Sequence, residues 1–224
     1  MSFNEKLTAL NHIYRHYDDF TDGRTMACQR YCAECCTPDV TMTTLEGYLI
    51  ADSLISNSRQ DLFGPIQKAI SGSRFKPRTT TNRLALLCVK GDDPPEEQRS
   101  DGGESCSLLT DGLCPIYPIR PFGCRCFISE KKCSQTGYAE VDPFIITVNT
   151  VYLQVIEHID ATGFSGNFAD VMLLMAQKEN RDRYKKNTLK HLGADFVSNL
   201  PIEVWMVPPE HRSKVKPILN ALLT

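Results

Sequence analysis

The stretch CQRYCAECC, from Cys28 to Cys36, holds four cysteines in nine residues and ends on an adjacent pair. Five more follow between Cys106 and Cys133, and Cys88 stands alone between the two groups. Sulfur at this density constrains the chain more than any other feature, because thiols so close together are either oxidised in pairs or ligated. The redox compartment decides which. The start, MSFNEKLTALNHIYRHY, is polar and charged throughout and lacks the apolar segment of a secretory signal. No apolar run approaches the ~18 residues that a bilayer span requires. These features are expected of a cytoplasmic protein with no membrane partner, where thiols stay reduced. Metal or redox chemistry then becomes the leading reading, ahead of a disulfide framework.

The 224 residues and their 42% hydrophobic content suit one domain with a real core. We therefore expect a single domain over 1–224, with a cysteine-cluster region at 28–133 and a helical C-terminal extension at 142–224. A formal net charge of -2 gives no electrostatic reason to expect nucleic acid or an anionic membrane as partner. The substrate or protein partner is not legible in the composition.

Local patterns predict a mainly α fold: a helical bundle with an irregular, proline-rich metal-binding loop region. Phe3, Leu7, Leu10, Tyr14 and Tyr17 share one face of a helix over 3–20. Thr43 and Glu46 have capping-box spacing, so a helix starts there. Residues 59–70 suggest a short helix interrupted by Gly64-Pro65. The stretch KGDDPPEEQRSDGGES, 90–105, carries every loop signal. Asp142 and Pro143 fit the cap and first turn of a helix that continues through Phe144, Val148, Val151, Val155 and Ile159. Residues 167–178 make another helix. The charged stretch 181–190 reads as a solvated helix or linker, and a last helix is expected after VPPEHRSK, kinked or restarted at Pro217.

A lone thiolate is costly to bury, whereas three or four around a metal cancel most of the charge. Spacings such as those of Cys28, Cys32 and Cys35 let one loop offer several sulfurs to one site. Pro115 and Pro121 stiffen the second loop, and Gly123 permits a sharp turn before Cys124.

The order CQRYCAECC, then VTMTTLEGYLI, then CSLLTDGLCPIYPIRPFGCR resembles the zinc- or iron-chelating cysteine-cluster family named for a CxxCxxCC motif (YkgJ-like). The match covers roughly residues 28–52 and 106–126 and leaves out the C-terminal hundred. The first spacing here has three intervening residues, where the family name has two. The resemblance implies metal binding by Cys28, Cys32, Cys35, Cys36, Cys106, Cys114 and Cys124. A related cluster occurs in flagellin lysine methylases, which hints at group-transfer chemistry.

Seven thiolates fit two tetrahedral zinc ions sharing one bridging sulfur, or a four-thiolate iron–sulfur cluster with three thiols left over. Cys35 and Cys36 should point in different directions and so serve different metal atoms. In an extended segment Cys126 would face the same side as Cys124, which adds it to the ligands. Arg120 and Arg125 are expected near the centre, offsetting residual thiolate charge. Cys88, in RLALLCVK, reads as a small buried hydrophobe, and Cys133 is left unassigned. His12 and His16 read as a solvated helix face. Glu46 reads as a cap. The expected function is a cytoplasmic cysteine-cluster metalloprotein, iron–sulfur with a redox or group-transfer role. The alternative is a zinc-stabilised binding module or a metal-handling protein without catalysis.

Overall fold

The computed structural model describes residues 1–29, 31–72, 74–97, 104–190 and 192–222. Arg30 of the first cysteine run and residues 98–103 of the expected 90–105 loop lie outside them. The described residues form ten α-helices and one small three-stranded sheet, so the fold is mainly α. No described helix is long and apolar enough to cross a membrane.

Helix α1, Phe3–Thr21, starts at a capping box between Ser2 and Glu5 and buries Leu10, Ile13, Tyr14 and Tyr17. Strand β1, Thr41–Thr43, leads directly into α2, Thr44–Ser56, through the Thr43–Glu46 capping box. Gly64 and Pro65 do not interrupt the next element. They sit in the first turn of α3, Phe63–Ala69, where a missing N–H costs nothing. Helix α4, Thr81–Lys90, occupies the apolar run around Cys88. Short helices α5, Phe122–Arg125, and α6, Cys133–Thr136, punctuate the second cysteine region. Helix α7, Pro143–Ile159, is capped by Asp142 and buries Val148, Val151, Tyr152 and Val155. After β2, Phe164–Asn167, come α8, Phe168–Ala176, and α9, Lys178–Lys185, then β3, Phe196–Ser198. Helix α10, Arg212–Leu222, continues through Pro217.

The sheet is antiparallel with β2 in the centre, pairing Thr41 with Asn167 on one side and Phe164 with Ser198 on the other. One contiguous set of buried side chains extends from Leu10 to Leu222 and includes Phe122 and Tyr152. Helices α2 and α8 meet at Gly47, where a Cβ would stand 2.4 Å from Val171 Cγ1.

Buried carboxylates join the distant parts. Asp160, fully buried, accepts from Thr44 Oγ1 at 2.7 Å, Leu45 N at 3.0 Å and Tyr184 OH at 2.6 Å. It thus satisfies the free amide end of α2 from the far end of α7. Glu157 accepts from Asn82 N at 2.8 Å and Leu200 N at 2.9 Å, fastening α4 and the segment after β3 to α7. His16 is not wholly solvated, since its Nδ1 hydrogen-bonds the buried Tyr152 hydroxyl, while His12 is exposed.

Candidate metal centre

The two cysteine loops lie against the frame in different ways. The first, between α1 and β1, has turns and no regular element among its described residues. Tyr31 within it takes a left-handed backbone, φ 77°, uncommon for a residue with a side chain. The second loop folds back on itself through the Thr110–Leu113 bridge, turned by Asp111 and Gly112, both left-handed. The amide of Cys106 donates to Cys36 O at 2.7 Å and stitches the loops together.

Helix α5 is placed by three separate contacts. Glu46, only 3% exposed, accepts from Phe122 N at 2.7 Å and from Tyr14 OH at 2.8 Å, besides its capping of α2. The Phe122 ring stacks on Tyr152 with centroids 5.5 Å apart. At Gly123 a Cβ would approach Thr41 O to 2.8 Å, so glycine serves close backbone packing here. The expected sharp turn at Gly123 is absent, because the residue lies inside α5 and its φ is not positive.

Cys28, Cys32, Cys35 and Cys36 from the first loop and Cys106, Cys114 and Cys124 from the second all line one cavity of about 290 Å³. None of the ten cysteines is in a disulfide. Cys32 and Cys88 are exposed and the rest are partly buried. Cys88 is therefore not the buried hydrophobe expected of it; α4 turns it to solvent. Cys126 is not in an extended segment. It follows Cys124 at helical geometry, which turns the two apart, and its Sγ contacts Gly123 O at 3.5 Å. It is not among the cavity residues.

Cys35 and Cys36 both line the cavity and interact side chain to side chain, which pushes Cys35 up and draws Cys36 below the ordinary thiol value. Burial raises Cys28, Cys106, Cys114 and Cys124, and raises Cys126 to about 12. Arg120 lines the cavity and opposes the rise at Cys35, Cys114 and Cys124. Its guanidinium lies over the Tyr117 ring at 3.7 Å and donates to Tyr117 O at 2.9 Å.

Arg125 also borders the cavity, but its donors are spent on structure. They reach Asp18 Oδ1 at 3.0 Å, Arg120 O at 3.1 Å and Pro118 O at 2.6 Å, with Tyr14 beneath at 4.4 Å. Three further lining residues carry no motif signal: Tyr17, Asp18 and Arg74. Arg74 is held by Asp170 through two bonds of 2.9 Å and 2.7 Å.

Among the described residues, no three or more cysteine, histidine, aspartate or glutamate side chains are gathered tightly enough to hold a metal ion. The donor set nonetheless suits a soft metal in kind: seven sulfurs on one wall, with one arginine free of a carboxylate partner among the described residues. No family model matches the chain, and no curated protein or solved structure matches it.

Proposed function

We propose that this protein is a cysteine-cluster metalloprotein, holding an iron–sulfur cluster that serves a redox or group-transfer role. What carries the reading is the assembly of seven unpaired cysteines, from loops far apart in sequence, around one cavity. A set of catalytic thiols would need depressed values to supply thiolate. Here burial raises Cys28, Cys106, Cys114 and Cys124, while Cys36 is drawn down beside Cys35, and a bound cation would supply the charge that opposes burial. Cys28, Cys32, Cys35, Cys36, Cys106, Cys114 and Cys124 would hold the metal. Cys126 would join only by turning its sulfur from Gly123 O. A bound iron–sulfur cluster supplies one-electron transfer or activation of a substrate at iron. Arg120 places positive charge beside the thiolates, and Arg125 fixes the loop that presents Cys124.

A second reading is a zinc-stabilised binding module. It is favoured by the scarcity of regular structure in the cysteine loops, whose order would then come from the metal. Protein purified without oxygen separates the two. Iron and sulfide with charge-transfer absorption support the first, and colourless protein with stoichiometric zinc supports the second. Absence of bound metal from anaerobically prepared and reconstituted protein would overturn both. We further propose that residues 1–224 fold as one unit. Limited proteolysis should yield no stable fragment near 1–140, since the seat of Phe122 is Tyr152.

A further inference from the structure

The cavity that gathers the cysteines also has a lining that carries no sulfur. Among the described residues four aromatic side chains are exposed: Tyr31, Tyr117, Phe127 and Tyr138. Three of them, Tyr31, Tyr117 and Phe127, line this cavity. Rings left in water are unfavourable, and their concentration around one cavity marks a surface that a ligand covers. Leu108, Ile116 and Phe168, each at most 7% exposed, continue the apolar lining inward. A cavity of about 290 Å³ with rings, aliphatic side chains and few charged groups stands at the small end of organic-ligand sites. Four charged side chains line it: Asp18, Arg74, Arg120 and Arg125. Arg125 is paired with Asp18 at 3.0 Å, and Arg74 with Asp170 at 2.7 Å. Arg120 has no carboxylate partner among the described residues. Tyr117 holds it instead: the ring lies 3.7 Å from the guanidinium carbon, and the Tyr117 carbonyl accepts from Nη1 at 2.9 Å. A guanidinium held by its face keeps edge N–H groups for a planar acceptor, and their fork matches a carboxylate. The ring that holds it is one of the three exposed rings, so the cation and the aromatic surface adjoin.

We propose that the cavity binds an organic anion with a flat, apolar body: an aromatic carboxylate whose ring lies against Tyr117 and Phe127 and whose carboxylate pairs with Arg120. As the substrate class of the proposed metal centre this rests on that reading; as a binding site it rests on the cavity, its rings and its one unpaired cation among the described residues. The two recognition elements do different things. The rings supply contact area and are indifferent to the ligand's charge. Arg120 supplies the discrimination, because a neutral amide of the same shape brings no charge to meet it.

The test uses 2-naphthoate and its neutral isostere 2-naphthamide, titrated by calorimetry into the full-length protein purified without oxygen, with metal content measured on the same samples. Wild type should bind a single naphthoate per chain, about tenfold more tightly than the amide, the effect of one charge-assisted hydrogen bond. Arg120→Gln should weaken naphthoate to the level of the amide and leave the amide unchanged. Arg120→Lys should keep part of the preference, as a charge without the planar fork. Phe127→Ala, at an exposed position, should weaken both probes by about three- to tenfold and keep their ratio. A merely structural role for Arg120 would move both probes together, so the ratio reads recognition alone. Equal affinity of wild type for the two probes, no saturable binding of either, or a preference that survives Arg120→Gln would overturn the proposal whatever the metal content. Naphthoate bound as expected by protein that holds no metal, even after reconstitution, would instead overturn the metal-binding reading and leave the site standing. If Arg120→Gln fails to fold, photolabelling of wild type with para-benzoylbenzoate decides. Adducts within 106–127 that naphthoate suppresses support the site, and adducts only elsewhere refute it.

Discussion

Helix α2 and the loop before β1 are neighbours in sequence and opposites in construction. The helix is capped twice, by its own Thr43–Glu46 box and by Asp160 from the end of α7, and buries eight of its thirteen residues. The loop from Gly23 to Asp39 carries four cysteines, no regular element among its described residues, and one non-glycine residue in a left-handed backbone. The frame is ordered by apolar burial and by carboxylates whose lone pairs are filled from within the chain. The loops hold few such bonds, and their most repeated feature is sulfur facing a cavity. The lesson is a division of labour: the frame supplies a rigid seat, and the loops bring the cysteines to one cavity.

The largest effect is expected where the two regions meet. Phe122→Ala removes the ring stacked on Tyr152 and packed 4.8 Å from Tyr17. It should cost about 3–5 kcal/mol in denaturant unfolding and loosen the presentation of Cys124. An unchanged midpoint would mean that the second loop is not seated on the frame at all.

Next in size is a pH effect within the frame. Burial raises Asp160 from its ordinary 3.8 to about 6, against the donors Tyr184 and Thr44 and the Lys6 ammonium at 3.8 Å. A raised acid contributes stability that is fully present below 3.8 and is lost as pH rises through about 6, where the folded state must bury the charge. The stability difference between wild type and Asp160→Asn should therefore shift in favour of wild type by up to about 3 kcal/mol from pH 7 to pH 4. A difference that is flat across this range would show the carboxylate to be fully compensated by its donors.

Arg125→Leu sharpens the comparison on the loop side. The variant keeps the apolar stem but leaves Pro118 O and Arg120 O without their donor. The expected loss is about 1–2 kcal/mol, read by thermal unfolding, with faster alkylation of Cys114 and Cys124. Stability within error of wild type would assign Arg125 to charge balance alone. Smallest of all is Cys88→Ser on the exposed face of α4, expected within about 0.5 kcal/mol. A larger loss would show that α4 turns this thiol inward in solution.

Much of the frame was legible because its signals are local. Ser2, Thr43, Asp142 and their partners a few residues on announce helix starts, and the stripes of α1 and α7 follow helical spacing. The sheet was not legible, since strands of three or four residues are too short to show alternation. Helix α4 was missed because only Asn82 and Ala85 are buried on it, too few to write a stripe. At the site, the grouping of the cysteines was readable from their order. The long-range backbone bonds that set these loops in place, such as Cys106 N to Cys36 O and Ala27 N to Ser129 O, were not. Cys126 was misread as extended, since the close packing of Gly123 on Thr41 that accompanies the helical turn cannot be seen in a linear chain.

The seat of Phe122 on Tyr152 also has a consequence for synthesis. All ten cysteines leave the ribosome before residue 152 does, and the helix that steadies Cys124 has nothing to stack on until then. During translation the thiols are a reactive, unshielded string, exposed to oxidation and to mispairing, and they gain their setting only when α7 arrives. Arrested chains ending before α7 should alkylate at every cysteine, and chains extended past it should show Cys124 slowed. Assembly of the cysteine wall is thus a late event in the life of the nascent chain, and its timing is set by a helix that contributes no sulfur.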